Sequence, residues 1–268
     1  MKYSLFDIHS HFNLESFDDD LELVIQSHQE KNIGTICVGI DKQTSQKALD
    51  LSEKFENIYA CVGLHPAEVM NEGDFEYGFY KDLAMNQKVV CVGECGLDYF
   101  RTDPNDHVGK ERQKEVFRNQ IDLALELDLP LMLHIRPSLG TYDAYEEVLD
   151  ILEELKKTEV KLRGNSHFFV GTKEIADRFL ALGFTLSFTG VITITGDYDE
   201  LVKHVPLESM HAETDAPFVA PKLYRGKRCE PYMVEEVYKK IAELKNLSFQ
   251  EVQDQLAQNR ERMFGIAR

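Results

Sequence analysis

Five short stretches of this sequence combine imidazoles and carboxylates at spacings that suit metal chelation. The first is Asp7-Ile8-His9-Ser10-His11. Alternate side chains of an extended chain share a face, so Asp7, His9 and His11 are expected to point together into one site. Two imidazoles spaced this way can grip one divalent ion through ring nitrogens. In the second stretch, Gly93-Glu94-Cys95-Gly96-Leu97-Asp98-Tyr99, Glu94 follows an apolar run. An ionised carboxylate there requires a partner or a metal, because leaving water unpaired costs it several kcal/mol. Two further apolar runs end on single histidines, His134 in Leu133-His134-Ile135-Arg136 and His167 in Ser166-His167-Phe168. In the fifth, Glu213-Thr214-Asp215-Ala216-Pro217, the chain leaves toward a proline, and Asp215 can both ligate a metal and accept a proton from water. Glu213 is placed to steer a ligand by hydrogen bond.

Together these residues are expected to hold two divalent ions. His9, His11, Glu94 and Asp215 fill one site; Glu94, as a bridge, fills the other with His134 and His167. Two ions about 3.5–4 Å apart clamp both the attacking and the leaving oxygen of a phosphoryl transfer. Glu94 and Asp215 are therefore the catalytic candidates. Phosphate contacts are expected from Arg136 and from the cluster Arg225-Gly226-Lys227-Arg228, since guanidinium forks match phosphate oxygens. The alternatives are a structural ion pair for Arg136 and a solvated loop for the cluster. His65, in Leu64-His65-Pro66, is a candidate for orienting substrate. His28, His107 and His204 are expected at the surface, while His211, alternating with Glu213 and Asp215, is placed toward the floor of the site.

Such convergence needs a scaffold that brings distant strand ends together. Eight β-rich apolar runs alternate with amphipathic stretches: Tyr3 to His9, Ile33 to Ile40, Ile58 to Leu64, Val89 to Gly93, Leu129 to Ile135, Val160 to His167, Phe184 to Phe188 and Met210 to Thr214. This alternation predicts parallel strands joined by crossover helices. Phe117, Ile121, Ala124 and Leu125 share a helical face, as do Val234, Val237, Ile241 and Leu244. Ser248 with Glu251 forms a capping box opening a last helix that runs through Leu256. At 268 residues, an α/β chain of this pattern is expected to be one (β/α)8 TIM barrel over 1–268, with an open doubly wound sheet as the alternative.

Lysine and arginine total 30 against 47 aspartates and glutamates, a formal charge of -17. That excludes a protein coating nucleic acid through a broad basic surface, so any DNA or other phosphodiester substrate is bound locally. The five cysteines form no C-x-x-C pair and are expected as buried thiols in a reducing cytoplasm. Neither a signal peptide nor an apolar run near the roughly 20 residues of a membrane span is found. No obligate protein partner is indicated.

The stretches Asp7 to His11, Gly63-Leu64-His65-Pro66 and Gly93 to Tyr99 make the chain resemble the TatD family of metal-dependent deoxyribonucleases. The resemblance continues through His134 with Arg136, His167-Phe168, Ser187 to Gly190, Glu213 to Pro217, Tyr224 to Arg228 and Asn259 to Phe264, essentially the whole chain in order. It implies a barrel of the amidohydrolase-like superfamily that hydrolyses DNA, commonly as a 3′ to 5′ exonuclease, with magnesium, manganese or zinc. By position it implies His9, His11, Glu94, His134, His167 and Asp215 as metal ligands. Phe168 and Cys229 depart from the family pattern, and Pro137 to Tyr142 looks longer than the usual loop. The competing activity is hydrolysis of small-molecule amides, lactones or aminoacyl esters on the same barrel. Glu94 stands where the common amidase version would carry a bridging lysine, which disfavours it.

Overall fold

The computed structural model describes residues 2–72, 75–103 and 105–267. Eight strands pair in parallel and in chain order: β1 (Leu5–Ser10), β2 (Ile33–Val38), β3 (Ile58–Val62), β4 (Val89–Asp98), β5 (Leu131–Arg136), β6 (Gly164–Ser166), β7 (Thr185–Phe188) and β8 (Met210–Ala212). Beyond β8 the chain meets β1 again. His11 N–H donates to Ala216 O (2.7 Å) and Asp215 N–H to His9 O (2.9 Å), with a parallel bridge between Ser10 and Ala216. These bonds close the barrel, and the open-sheet alternative falls.

Strand residues divide into two alternating sets, as the two-residue period requires. Phe6, Ile8, Ile36, Val38, Cys61 and Cys91 cluster with one another inside the barrel, beneath the site. Met263, Phe264 and Ile266, near the C-terminus, plug this core from below. The other set faces the helices α1 (Leu21–Glu30), α2 (Lys42–Lys54), α3 (Val69–Glu72), α4 (Tyr77–Ala84), α5 (His107–Glu126), α6 (Asp143–Lys156), α7 (Lys173–Ala181), α8 (Asp199–His204), α9 (Val234–Lys245) and α10 (Phe249–Phe264). On α5, Phe117, Ile121 and Ala124 are buried as their spacing predicts, and on α9 so are Val234, Val237 and Ile241. All five cysteines are buried and free. Among the described residues no helix is long and apolar enough to cross a membrane.

Three boundaries differ from expectation by more than two residues. The sixth strand begins at Gly164 rather than Val160: Val160 is 81% exposed, and the next turn is held by Lys161 and Arg163 on Asp128. β4 continues through Glu94 to Asp98 instead of ending at Gly93. The capping box of Ser248 and Glu251 forms, but α10 runs to Phe264, where Gly265 at φ 68° terminates it in the left-handed region.

Candidate metal centre

Two irregularities in the barrel deliver the central groups. Between Asp7 and Ser10, β1 advances three residues while β2 advances two, from Thr35 to Cys37. β4 does the same against β5, where Val92 to Cys95 opposes Leu131 to Leu133. An extra residue re-aims the side chains that follow it; here the displaced segments carry His9 and Glu94. Glycines let β4 lie this close to β5. A Cβ on Gly96 (φ 136°) would sit 2.2 Å from His134 O, and one on Gly93 (φ 152°) 2.5 Å from Met132 O.

The same displacement corrects the expected Asp7, His9, His11 face. Asp7 leaves the set: its carboxylate accepts from Thr214 N–H (2.9 Å), from the Thr214 hydroxyl and from His9 N–H (3.1 Å). It ties β1 to the segment after β8. Burial pushes this carboxyl well above its ordinary range, against those hydrogen bonds.

The six proposed ligands converge. Glu94 Oε1 lies 2.8 Å from His134 Nδ1 and 2.8 Å from His167 Nε2. Its Oε2 lies 3.5 Å from His9 Nε2 and 3.7 Å from His11 Nε2. Asp215 Oδ1 faces the same two histidines, 3.3 Å from His11 Nε2 and 3.7 Å from His9 Nε2. The His9 and His167 rings stack at 3.9 Å. Three overlapping sets could each hold a cation: His9, His167 and Asp215; His9, His11 and Glu94; His65, Glu94 and His134. The expected division put His167 with Glu94 and His134, whereas the geometry also sets it against His9 and Asp215.

A layer behind these groups fixes the ring orientations. His11 Nδ1–H donates to Val38 O (2.9 Å), leaving its Nε2 for the centre. His134 Nε2 faces Asp98 Oδ2 at 3.1 Å, leaving Nδ1. Glu213 lies 3.4 Å from His167 Nδ1 and is itself held by Phe168 N–H (2.6 Å) and the Ser187 hydroxyl (2.6 Å). Carboxylates and carbonyls in this position set the tautomer and raise ligand basicity. His65 is arranged differently. Its Nδ1 accepts from Ala67 N–H (3.0 Å), so the neutral ring carries its proton on Nε2, 3.6 Å from Glu94 Oε1. That nitrogen is a donor, suited to an oxygen and not to a cation, so the third of those sets loses His65 as a ligand while Ala67 holds the ring.

Electrostatics follow from burial opposed by neighbours. Burial alone would raise the Glu94 carboxyl, but the imidazoles of His167, His65 and His9 outweigh it and hold the group well below the usual carboxylate range. Asp215 is lowered in the same way, chiefly by its bond to His11. Burial lowers His9, and it carries His65 down to about 3. Against burial, the neighbouring carboxylates raise His11 and His134, and hold His167 well above its ordinary value, so a cation entering this centre would take the place of imidazolium protons. The buried Nδ1 of His9 has no hydrogen-bond partner, and that of His167 has only the 3.4 Å approach of Glu213, outside hydrogen-bond geometry.

The centre opens into a cavity of about 440 Å³ whose walls include Leu14, Phe168, Phe218, His65 and Arg136. Arg136 is not the structural ion pair of the alternative reading; its guanidinium lies over the Phe100 ring at 4.0 Å. Arg225 and Lys227 are exposed and lie outside the cavity wall. Arg228 is a correction: it grips Asp20 with both terminal nitrogens (2.8 and 2.7 Å), donates to Ser16 O and lies over Phe17. That fork latches the loop after β8 to the start of α1 and has no place for a phosphate. His28, expected at the surface, is buried on α1, where Nε2 accepts from Tyr232 N–H (3.0 Å). His211 is buried against Phe264 below the centre, and His204 pairs with Asp177. His107 is exposed and opens α5.

Sequence reasoning passed over Asp98, Gln113, Gln120 and Arg101. Asp98 alternates with Glu94 and Gly96, a signal visible once β4 is read to its true end. Gln113 and Gln120 interrupt the apolar face of α5, and both are buried. Gln120 brackets Leu64, accepting from its N–H and donating to its carbonyl (both 2.9 Å), and so places His65.

A closed parallel barrel with histidines and carboxylates converging at its C-terminal strand ends is the architecture of a metal-dependent hydrolase. The comparisons agree. The chain belongs to the TatD related DNase family, whose profile it matches over residues 6–265. YabD of Bacillus subtilis, described as a metal-dependent hydrolase, is 40% identical over 265 residues, covering 98% of this chain and 99% of the relative. Human TATDN3, described as a deoxyribonuclease, is 28% identical over 270 residues, covering 97% and 94%. The crystal structure of YjjV from Escherichia coli, described as a TatD homolog, superposes with a TM-score of 0.88 at 27% identity, covering 99% of this chain and all of that one.

Proposed function

We propose that this chain is a deoxyribonuclease that hydrolyses phosphodiester bonds with two divalent cations, magnesium, manganese or zinc. The observation that carries this reading is Glu94, whose two oxygens each face imidazole nitrogens brought from different strands. His9, His11 and Asp215 would hold one cation with Glu94, and His134 and His167 the other. Once bound, such a pair polarises phosphoryl oxygens and makes a water acidic.

The chain's own residues do the rest. Asp215, with an oxygen turned to His9 and His11 and its carboxyl kept ionised, accepts the proton of the attacking water. Arg136, carried by β5 two residues past His134, holds a non-bridging phosphate oxygen with its fork. Its stacking on Phe100 fixes the plane of that fork. His65 donates Nε2–H to the substrate, with Ala67 N–H holding the tautomer. Five buried, unpaired thiols suit work in a reducing cytoplasm. The test is release of nucleotides from single-stranded DNA and of nitrophenolate from bis(p-nitrophenyl) phosphate, each with and without chelator, beside a panel of amides and lactones. Chelator-sensitive phosphodiester turnover is expected. Turnover confined to amides or lactones overturns the reading.

A further inference from the structure

Arg101, an exposed residue, is part of the wall of the same cavity and stands at its rim. Among the described residues, neither Arg101 nor Arg136 has a carboxylate within ion-pair distance, whereas Arg112, Arg118, Arg163, Arg178 and Arg228 are paired, Arg260 and Arg262 donate to main-chain carbonyls, and Arg225 is exposed away from the cavity wall. In a chain of net charge -17, two unpaired guanidiniums at one opening need an anionic occupant more than a structural reason. The two are linked through one ring: Arg136 lies over Phe100, and Arg101 is the next residue along the chain.

The turn that carries Arg101 is built to hold it there. Arg101 N–H donates to Asp98 Oδ1 (3.1 Å), and the Thr102 hydroxyl donates to Asp98 O (2.8 Å). Gln113, 4% exposed, accepts from Asp98 N–H (2.9 Å) and donates to the Thr102 hydroxyl (3.0 Å) and to Asp98 O (3.2 Å). Asp98 is the same carboxylate that orients His134, so one buried group sets both the metal-facing ring and the rim arginine. Glu68, an acidic group of the cavity wall, accepts from Asn71 Nδ2 (2.9 Å) and is not paired with either arginine.

We propose that Arg101 is a specificity-determining residue that binds a second phosphate, one nucleotide away from the scissile bond, which Arg136 holds deeper in. This rests on the phosphodiester reading and deepens it: the preferred substrate class is an oligonucleotide whose next phosphate is present, rather than an isolated diester. Going outward from the centre, a strand meets the half-buried Arg136 first and the exposed Arg101 second.

The experiment compares thymidylyl-thymidine with its 3′-phosphorylated and 5′-phosphorylated forms, using metal-loaded protein and steady-state kinetics. One phosphorylated form is expected to show a kcat/KM about tenfold or more above the unphosphorylated dinucleotide, mainly through KM, the size of a charge-assisted hydrogen bond. Which form gains tells the side on which Arg101 lies. Arg101→Ala brings that ratio to near one, and Arg101→Lys keeps part of it, because a point charge lacks the planar fork. Wild-type turnover of all three at equal efficiency overturns the subsite alone. So does an Arg101→Ala protein, folded by circular dichroism, that keeps the full ratio. Absence of any chelator-sensitive turnover by the wild type overturns the phosphodiester reading and the subsite with it.

Discussion

Replacing Asp98 loosens the centre without touching a ligand. The carboxylate is 1% exposed and divides its oxygens, Oδ2 facing His134 Nε2 at 3.1 Å and Oδ1 accepting from Arg101 N–H at 3.1 Å. Asp98→Asn keeps the shape but offers one oxygen, so one of two donors meets an amide NH2 instead of an acceptor. Asp98→Ala removes both and leaves the Nε2–H of His134 buried without a partner. Outer partners of metal-ligating histidines are worth about 10–100-fold in metal affinity, or about 1.4–2.7 kcal/mol. Asp98→Asn is expected near the lower end and Asp98→Ala near the upper. Gln113 binds only the main chain of residue 98, so the turn itself survives either change. Competitive titration of manganese or zinc against a fluorescent chelator measures the loss, with circular dichroism of the metal-free proteins as the folding control. Folded variants that bind metal as tightly as the wild type would refute the assignment of Asp98 as the group that sets His134.

Within the centre, Glu94→Ala is expected to abolish turnover and to reduce the metal retained after dialysis, whereas Asp215→Asn retains metal and loses turnover; metal analysis beside the nuclease assay separates them. Acid stability depends on His28, which burial, with a smaller contribution from Lys31, holds down to about 3. An imidazole lowered by folding stays neutral in the folded state while the unfolded chain takes up a proton below about pH 6.5, so its stabilisation is complete above that pH and is lost as pH falls toward 3, by about 1.4 kcal/mol per pH unit. His28→Gln, which keeps an acceptor for Tyr232 N–H, is expected to shrink the stability difference between pH 7 and pH 5 by about 2 kcal/mol in urea unfolding; an unchanged difference counts against a neutral buried His28. Binding of single-stranded DNA is expected to weaken with salt at a log–log slope of only about -1.4, two phosphate contacts at roughly -0.7 each, and a slope several times steeper means a broad basic surface that the structure does not show.

The six converging side chains were legible in the sequence because each stands at or just beyond the end of an expected strand, and the chemistry of a desolvated carboxylate or imidazole demands partners whatever the fold. The route by which they reach one another was not. Alternation along β1 predicted that Asp7 would stand with His9 and His11, but alternation assumes an unbroken register, and the extra residue between Asp7 and Ser10 breaks it. The extra residue around Glu94 also hid the true length of β4, and with it Asp98. Arg228 failed for a different reason: sequence shows the charge but not the distant carboxylate, and Asp20, far away in the chain, claims both of its terminal nitrogens. His28 looked polar and superficial because its neighbours along α1 are; the buried acceptor it supplies serves the backbone of Tyr232, a contact no local pattern encodes.

Charge accounting explains how so acidic a protein handles a polyanion. Glu94, Asp215, Asp98 and Glu213 place four carboxylates in and behind the centre, which two divalent cations would neutralise and not exceed. A loaded centre is therefore close to electrically neutral, and it attracts a phosphate by the directed field of its cations over a few ångströms rather than by net charge at long range. Attraction beyond that distance falls to the two guanidiniums of the cavity wall that pair with no carboxylate among the described residues, Arg136 within the cavity and Arg101 at its rim. The net charge of -17 then works in the same direction, because it disfavours nonspecific contact with a strand away from that opening.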